Sequence, residues 1–221
     1  MSKKPFVIIE GIDAAGSSTQ AQLLVKKLQS AGRKPLQLHF PQEDKKTGQL
    51  IYDKYLRTKK MGSLSRREQA LLYIADFYSR TDDIAAVMNG KDSAHDFVIS
   101  DRWCTSTFAY QTVGLAGKAR AKMLDWLTEL CWKGKPQLAK PDLVIFLDTP
   151  WVTARKRMPK KKDYFEADSR KQRGIRISYR RLASDSKNWV VVNSRDANNV
   201  ERSKNDLHQE IWDILQKRAV I

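Results

Sequence analysis

Residues 6–19 read FVIIEGIDAAGSST, an apolar run followed by a turn rich in glycine, alanine and serine. The spacing Gly11-x4-Gly16, then Ser17-Ser18, fits the phosphate-binding loop G-x-x-x-x-G-K-[ST] except at the lysine, where Ser17 stands. Glycines at those places let successive backbone N–H groups turn inward around an anion at a helix N-terminus. Val7, Ile8 and Ile9 read as a strand buried on both faces. Beyond the loop, Ala21, Leu23, Leu24 and Leu28 fall on one helical face, and Gly32 is the expected stop. A strand that merely ends in a turn would explain the glycines but not this strand–loop–helix order. The candidate phosphate contacts are Gly11, Ala14, Ala15, Gly16, Ser17, Ser18 and Thr19, with the Ser18 hydroxyl placed where a nucleotide-bound Mg²⁺ takes a ligand.

The chain of 221 residues suits a single domain, residues 1–221, with a substantial core. It holds no run of about eighteen apolar residues, so no membrane span is expected. The opening MSKKPFVIIEG enters the first strand at once, and no cleavable leader is expected. Cys104 and Cys131 make no disulfide framework, and His39, His95 and His208 are scattered, so a reducing cytoplasm is the expected home.

The formal charge of +16 suits a polyanionic ligand, either nucleic acid or small phosphorylated molecules. Its densest stretch is residues 155–162, RKRMPKKK, followed by Arg170, Lys171, Arg173, Arg176, Arg180 and Arg181. No zinc finger, aromatic ribonucleoprotein motif or helix-turn-helix accompanies these cations, so nucleic acid is not the expected partner. Part of the charge reads as solvated surface.

Apolar runs at 36–40, 97–100, 143–147 and 190–192 join the first as strands. Helical periodicity fills 66–88, 119–131 and 200–218, the last with Leu207, Ile211, Ile214 and Leu215 on one face. Strands alternating with helices predict a parallel sheet of five strands covered on both faces. The Lys/Pro-rich piece at 158–163 reads as a flap. Ligands of such sheets gather at the carboxyl ends of the strands. That singles out the glycine loop, Phe40-Pro41, Asp101-Arg102-Trp103 and Asp148-Thr149-Pro150.

Together these residues resemble the thymidylate kinases, nucleoside-monophosphate kinases of the P-loop group. The resemblance rests on IEGIDAAGSSTQ, on the Phe-Pro pair, on DRW followed by STFAYQ at 106–111, and on KPDLVIFLDTPWVTARKR at 140–157. It implies a three-layer P-loop α/β fold with a small basic lid at about 155–168. The implied activity is Mg²⁺-dependent phosphoryl transfer from ATP to dTMP, giving dTDP and ADP, by an enzyme that is commonly a homodimer. It also assigns residues. Asp13 lies near the deoxynucleotide 3′-hydroxyl, Asp101 organises Mg²⁺ together with Ser18, and Arg102 bridges donor and acceptor phosphates. Phe40 packs on the sugar and Tyr73 on the base, while Ser106 and Gln111 line the thymine side.

Three positions depart from the family pattern. Ser17 replaces the loop lysine, and a lid cation, Arg157 or one of Lys160–Lys162, is expected to supply its charge. Gln42-Glu43-Asp44 stands where an arginine usually holds the acceptor phosphate. Phe77 stands where an arginine reads the base, with Arg80 three residues on expected to face the same side. Two alternatives stand beside a dTMP kinase: a kinase of another nucleotide or a deoxynucleoside, and a nucleotide-binding relative without turnover.

Overall fold

The computed structural model of the chain describes residues 3–158 and 163–221. Five parallel strands, β1 (Phe6–Gly11), β2 (Pro35–His39), β3 (Phe97–Asp101), β4 (Leu143–Asp148) and β5 (Trp189–Asn193), form one sheet in the order β2-β3-β1-β4-β5. Every residue of β1, β3 and β4 is buried, which is why these strands read as unbroken apolar runs. Connections out of β1 and β3 leave in opposite directions, so a crevice opens between the carboxyl ends of those two neighbours.

The helices are α1 (Ser17–Ser30), α2 (Lys46–Leu50), α3 (Arg66–Tyr78), α4 (Thr81–Met88), α5 (Cys104–Gln111), α6 (Gly117–Thr128), α7 (Trp151–Arg157), α8 (Ser169–Ser184) and α9 (Lys204–Lys217). α1 packs on α9 and on β1, whereas α5 packs on α8, which also lies against β4 and β5. Gly32, at φ +78, sits one residue past the C-cap of α1, as its position in the sequence suggests.

The helical pattern at 66–88 is two helices. α3 starts at a capping box, in which the Ser65 hydroxyl accepts from Glu68 N–H and the Glu68 carboxylate accepts from Ser65 N–H. It ends at Tyr78 because distant partners hold the turn. The buried Asp76 carboxylate accepts from Gln42 N–H (2.8 Å) and the Thr47 hydroxyl (2.6 Å). Arg80 donates to Gln42 Oε1 (3.0 Å) and Asp44 (2.6 Å). The tail pattern at 200–218 becomes helical only at Lys204, behind a second capping box formed by Ser203 and Asp206.

Phe40 and Phe77 each sit about 5 Å from Trp103, and Phe6 lies 5.7 Å from it. Such aromatic pairs add about 1 kcal/mol each beyond their buried area. They fix β2, α3 and the turn after β3 relative to one another.

Candidate active site

The glycine loop closes tightly onto α1. A Cβ on Gly11 would lie 2.7 Å from the Cβ of Ala15, so only glycine fits there. Ala14 and Gly16 take left-handed conformations, at φ +59 and +104. Gly16 is the N-cap of α1 and no side chain caps the helix, leaving its first turn of N–H groups to an anion. Just past β4, the Thr149 hydroxyl donates to Ala15 C=O at 3.2 Å and steadies the loop.

A chain of polar contacts runs from the loop to the end of β3. The Ser18 hydroxyl donates to Asp101 Oδ2 at 2.5 Å, and His39 Nδ1 lies 2.8 Å from the same oxygen. The other oxygen, Oδ1, is buried without a hydrogen-bond partner. Burial pushes the Asp101 carboxyl up, but the hydrogen bond and charge of His39, with Arg102 and Ser18, hold it below the ordinary value.

Arg102 follows in a left-handed conformation, φ +69, an uncommon place for a long side chain. Its Nη2 donates to Asp13 Oδ1 (2.6 Å) and its Nη1 to the Tyr110 hydroxyl (3.1 Å). Tyr110 donates to Asp13 Oδ1 as well (2.8 Å). From α8, the Gln172 amide donates to Asp13 Oδ2, and its carbonyl accepts from Asp13 N–H at 3.2 Å. Asp13 therefore fixes the direction in which the guanidinium points, besides facing the cleft.

These groups line a cleft of about 440 Å³. At one end stand Asp13, Ala14 and Gly16 to Thr19; at the other, Phe40, Tyr73, Phe77, Ser106, Thr107 and Gln111; Arg102 lies between them. The Thr107 hydroxyl has no hydrogen-bond partner although the residue is only 3 % exposed. The Ser106 hydroxyl is already used, donating to Trp103 C=O at 2.7 Å.

Arg80 does not line this cleft. The expectation that it faces the base presumed one continuous helix. α3 ends at Tyr78, and Arg80 instead pairs with Asp44 and Asp83. Phe77, fully buried, lines the cleft instead.

Arg157, the last residue of α7, reaches the glycine loop. Its Nη1 donates to Ala15 C=O at 3.1 Å and lies 3.6 Å from where a Cβ on Gly16 would be. Its Nη2 pairs with Glu201. The other proposed lid cations, Lys160, Lys161 and Lys162, lie outside the described residues. Described residues of the 155–168 segment that line the cleft include Asp163, Phe165 and Glu166, so a segment read as basic presents carboxylates there too. Burial pushes Asp163 up to about 6, with help from the charges of Asp13 and Glu166.

The family model for thymidylate kinase matches residues 9–211. The chain belongs to the thymidylate kinase family. A probable thymidylate kinase of Thermococcus gammatolerans is 31 % identical over 222 residues, covering 97 % of each chain. The human thymidylate kinase is 27 % identical over 97 % of this chain and 90 % of its own. Among solved structures, a thymidylate kinase from Candida albicans superposes with a TM-score of 0.78 at 22 % identity, covering 100 % of this chain and 94 % of the other, which speaks for the fold.

Against that family background, sequence reading missed His39, Tyr52, Thr107, Tyr110 and Gln172, all of which line the cleft or bind its residues. His39 and Tyr110 had signals, the first at the carboxyl end of β2 and the second within AYQ. Gln172 had none, being 159 residues from its partner.

Proposed function

We infer that this chain transfers the γ-phosphoryl group of ATP to dTMP, giving dTDP and ADP. The observation that carries this is one cleft joining a glycine loop at a helix start to an aromatic pocket, with Arg102 between them, in a chain of the thymidylate kinase family. Phosphoryl transfer asks little covalent chemistry of a protein. It asks for in-line positioning and for cations around the moving group.

In this reading the loop N–H groups of Gly11 to Thr19 hold the ATP phosphates, and Arg102 spans donor and acceptor phosphates with its planar fork. Phe40 packs against the sugar, Tyr73 and Phe77 against the base, and Asp13 takes the 3′-hydroxyl while it orients Arg102. Ser106, Thr107 and Gln111 face the polar edge of thymine, and the unpaired Thr107 hydroxyl is the strongest support for that side. Arg157 supplies the charge that Ser17 lacks, supported by its contact with Ala15 C=O. The segment at about 155–168 acts as the lid, excluding water as substrates are captured.

Mg²⁺ fits the residues present. Among the described residues no cluster of three His, Cys, Asp or Glu side chains could hold a metal alone. A nucleotide-bound Mg²⁺ needs only one or two protein ligands besides phosphates and water. The Ser18 hydroxyl and Asp101, whose Oδ1 is buried and unpaired, offer those. When bound, the ion neutralises charge building on the phosphate oxygens.

No helix among the described residues is long and apolar enough to cross a membrane. We place the enzyme in the cytoplasm, where the buried free thiols of Cys104 and Cys131 stay reduced. We further propose a homodimer formed through the helices, supported by Leu71 of α3, an apolar side chain 47 % exposed; sedimentation velocity tests it.

The deciding experiment is a coupled ADP-release assay across nucleoside monophosphates and deoxythymidine with Mg²⁺-ATP. Turnover with dTMP well above dCMP, dAMP and deoxythymidine supports the reading. Stabilisation by ATP without turnover of any acceptor overturns it.

A further inference from the structure

Glu10 is the residue before Gly11 on β1, and phosphoryl transfer gives it nothing to do. Its side chain is completely buried. Oε1 accepts from Trp103 N–H (3.3 Å) and the Thr105 hydroxyl (2.5 Å), and Oε2 accepts from the Tyr179 hydroxyl on α8 (2.7 Å). No cation pairs with it among the described residues. The charged or titratable groups facing it are Arg102 and Asp101 at the end of β3, Cys104 on α5 and Tyr179 on α8, while Phe146 of β4 lies beside it in the sheet.

What those donors belong to is informative. The peptide joining Arg102 to Trp103 is gripped at both ends, its carbonyl by the Ser100 hydroxyl (2.5 Å) and its N–H by Glu10. Arg102 N–H is in turn held by Ile9 C=O at 3.1 Å. A left-handed arginine persists only where its surroundings over-determine it. Glu10 is one of those determinants. It also ties the turn to α8, whose Gln172 binds Asp13 and so aims the guanidinium.

We propose that Glu10 is a positioning residue for Arg102: its carboxylate holds the Arg102–Trp103 peptide and locks the turn after β3 onto α8, presetting the guanidinium between the phosphates. This rests on the role given to Arg102 above.

The ionised form is the one that can accept from all three donors, since a protonated carboxyl must itself donate. Burial pushes Glu10 up to about 7, against Arg102, Thr105 and Tyr179, which pull it down. Activity therefore needs the form that burial disfavours. A carboxylate that merely held the fold together would show loss of stability and loss of activity in parallel; a positioning carboxylate need not.

The test is Glu10→Gln, which keeps shape and one acceptor oxygen but removes the charge. Expected are a kcat with dTMP lowered about tenfold, a KM for ATP within about twofold of wild type, and a melting temperature near pH 8 no lower than wild type. The fall in wild-type kcat below about pH 7 should be absent from the variant. Affinity for an ATP–dTMP bisubstrate mimic, measured by calorimetry, should fall in Glu10→Gln as in Arg102→Ala, with the double variant no weaker than Arg102→Ala alone. Additive losses in the double variant, wild-type kcat and affinity, or a lowered melting temperature with all parameters falling together would each overturn the proposal. If the wild type makes no dTDP, the functional reading fails, and the calorimetric cycle with the bisubstrate mimic still decides the role of Glu10. Should Glu10→Gln not fold, Thr105→Val removes a donor on the Arg102 side and is read by the same cycle.

Discussion

Replacing Arg157 by alanine tests the least expected part of the site. Its guanidinium sits on the glycine loop, 3.1 Å from Ala15 C=O, so a phosphate cradled by that loop comes within contact distance. A unit charge about 4 Å from a phosphate charge is worth about 4 kcal/mol at an effective dielectric of about 20. Glu201 shares the guanidinium, and the two side chains are 34 % and 40 % exposed, so solvent and the counter-charge remove roughly half of that. The remaining ~2 kcal/mol corresponds to about a thirtyfold fall in kcat. The loop amides and Ser18 are untouched, so the KM for ATP should rise far less. Steady-state kinetics with Mg²⁺-ATP and dTMP measure both. Ser17→Lys alone should add little, because Arg157 already lies against the neighbouring Gly16, yet it should restore part of the rate to Arg157→Ala. A kcat for Arg157→Ala within about twofold of wild type would refute the compensation. So would a wild type inactive with every nucleotide but switched on by Ser17→Lys.

Arg102→Ala should lower kcat by about a hundredfold or more, about 3 kcal/mol, while ATP binding measured by titration is largely kept; near-normal turnover would take Arg102 out of the mechanism. Asp13→Ala should both weaken dTMP binding and lower kcat, because the same carboxylate holds Arg102; an effect on ATP affinity alone would make it a donor-side residue. Thr107→Val should lower kcat/KM for dTMP about fivefold, the value of one hydrogen bond near 1 kcal/mol, and an unchanged value would put the thymine edge elsewhere. The pH dependence of folding carries a sign. Glu10 is raised in the fold to about 7 from 4.5, so its contribution is fully present below about pH 4.5 and lost as pH rises through about 7. The loss is on the order of 3 kcal/mol. Urea unfolding near pH 5 and pH 8 should show a smaller difference in Glu10→Gln than in wild type, and equal differences would contradict the assignment.

The strands were readable because burial on both faces leaves a continuous apolar run, as at Leu143–Asp148, and the loop was readable because close approach restricts Gly11 chemically. The split of 66–88 into two helices was not readable. Periodicity continues across it, while the break is set by Asp76 holding Gln42 N–H and Thr47 from another part of the chain. The misplacement of Arg80 follows from the same cause, since spacing along a helix says nothing once the helix has ended. Gln172 and Glu201 were invisible for a related reason: each matters through one partner far away in sequence, Asp13 or Arg157, that only the fold brings near.

Those hidden partners bear on how the chain departs from its family. With lysine in the loop, the donor-side cation would ride on α1 and be present whenever the loop is formed. In the proposed reading it is Arg157 of α7, whose other nitrogen is held by Glu201, on the turn between β5 and α9. Delivery of the charge therefore depends on where α7 sits relative to the loop, and α7 leads directly into the segment proposed as the lid. In the proposed reading Phe77 replaces a charged reader of the base and packs with Phe40 and Trp103, leaving neutral polar groups, the unpaired Thr107 hydroxyl among them, on the cleft wall. A buried hydroxyl discriminates by the cost of leaving it unpaired, which is less than a guanidinium would enforce. Both substitutions thus point the same way: Glu201→Gln, which frees Arg157, should leave kcat at or above wild type, whereas Thr107→Val should narrow the preference for dTMP over dCMP without changing kcat for ATP-saturated enzyme. If Glu201→Gln instead lowers kcat as far as Arg157→Ala does, the pair acts as a fixed structural clasp and α7 does not deliver a catalytic charge.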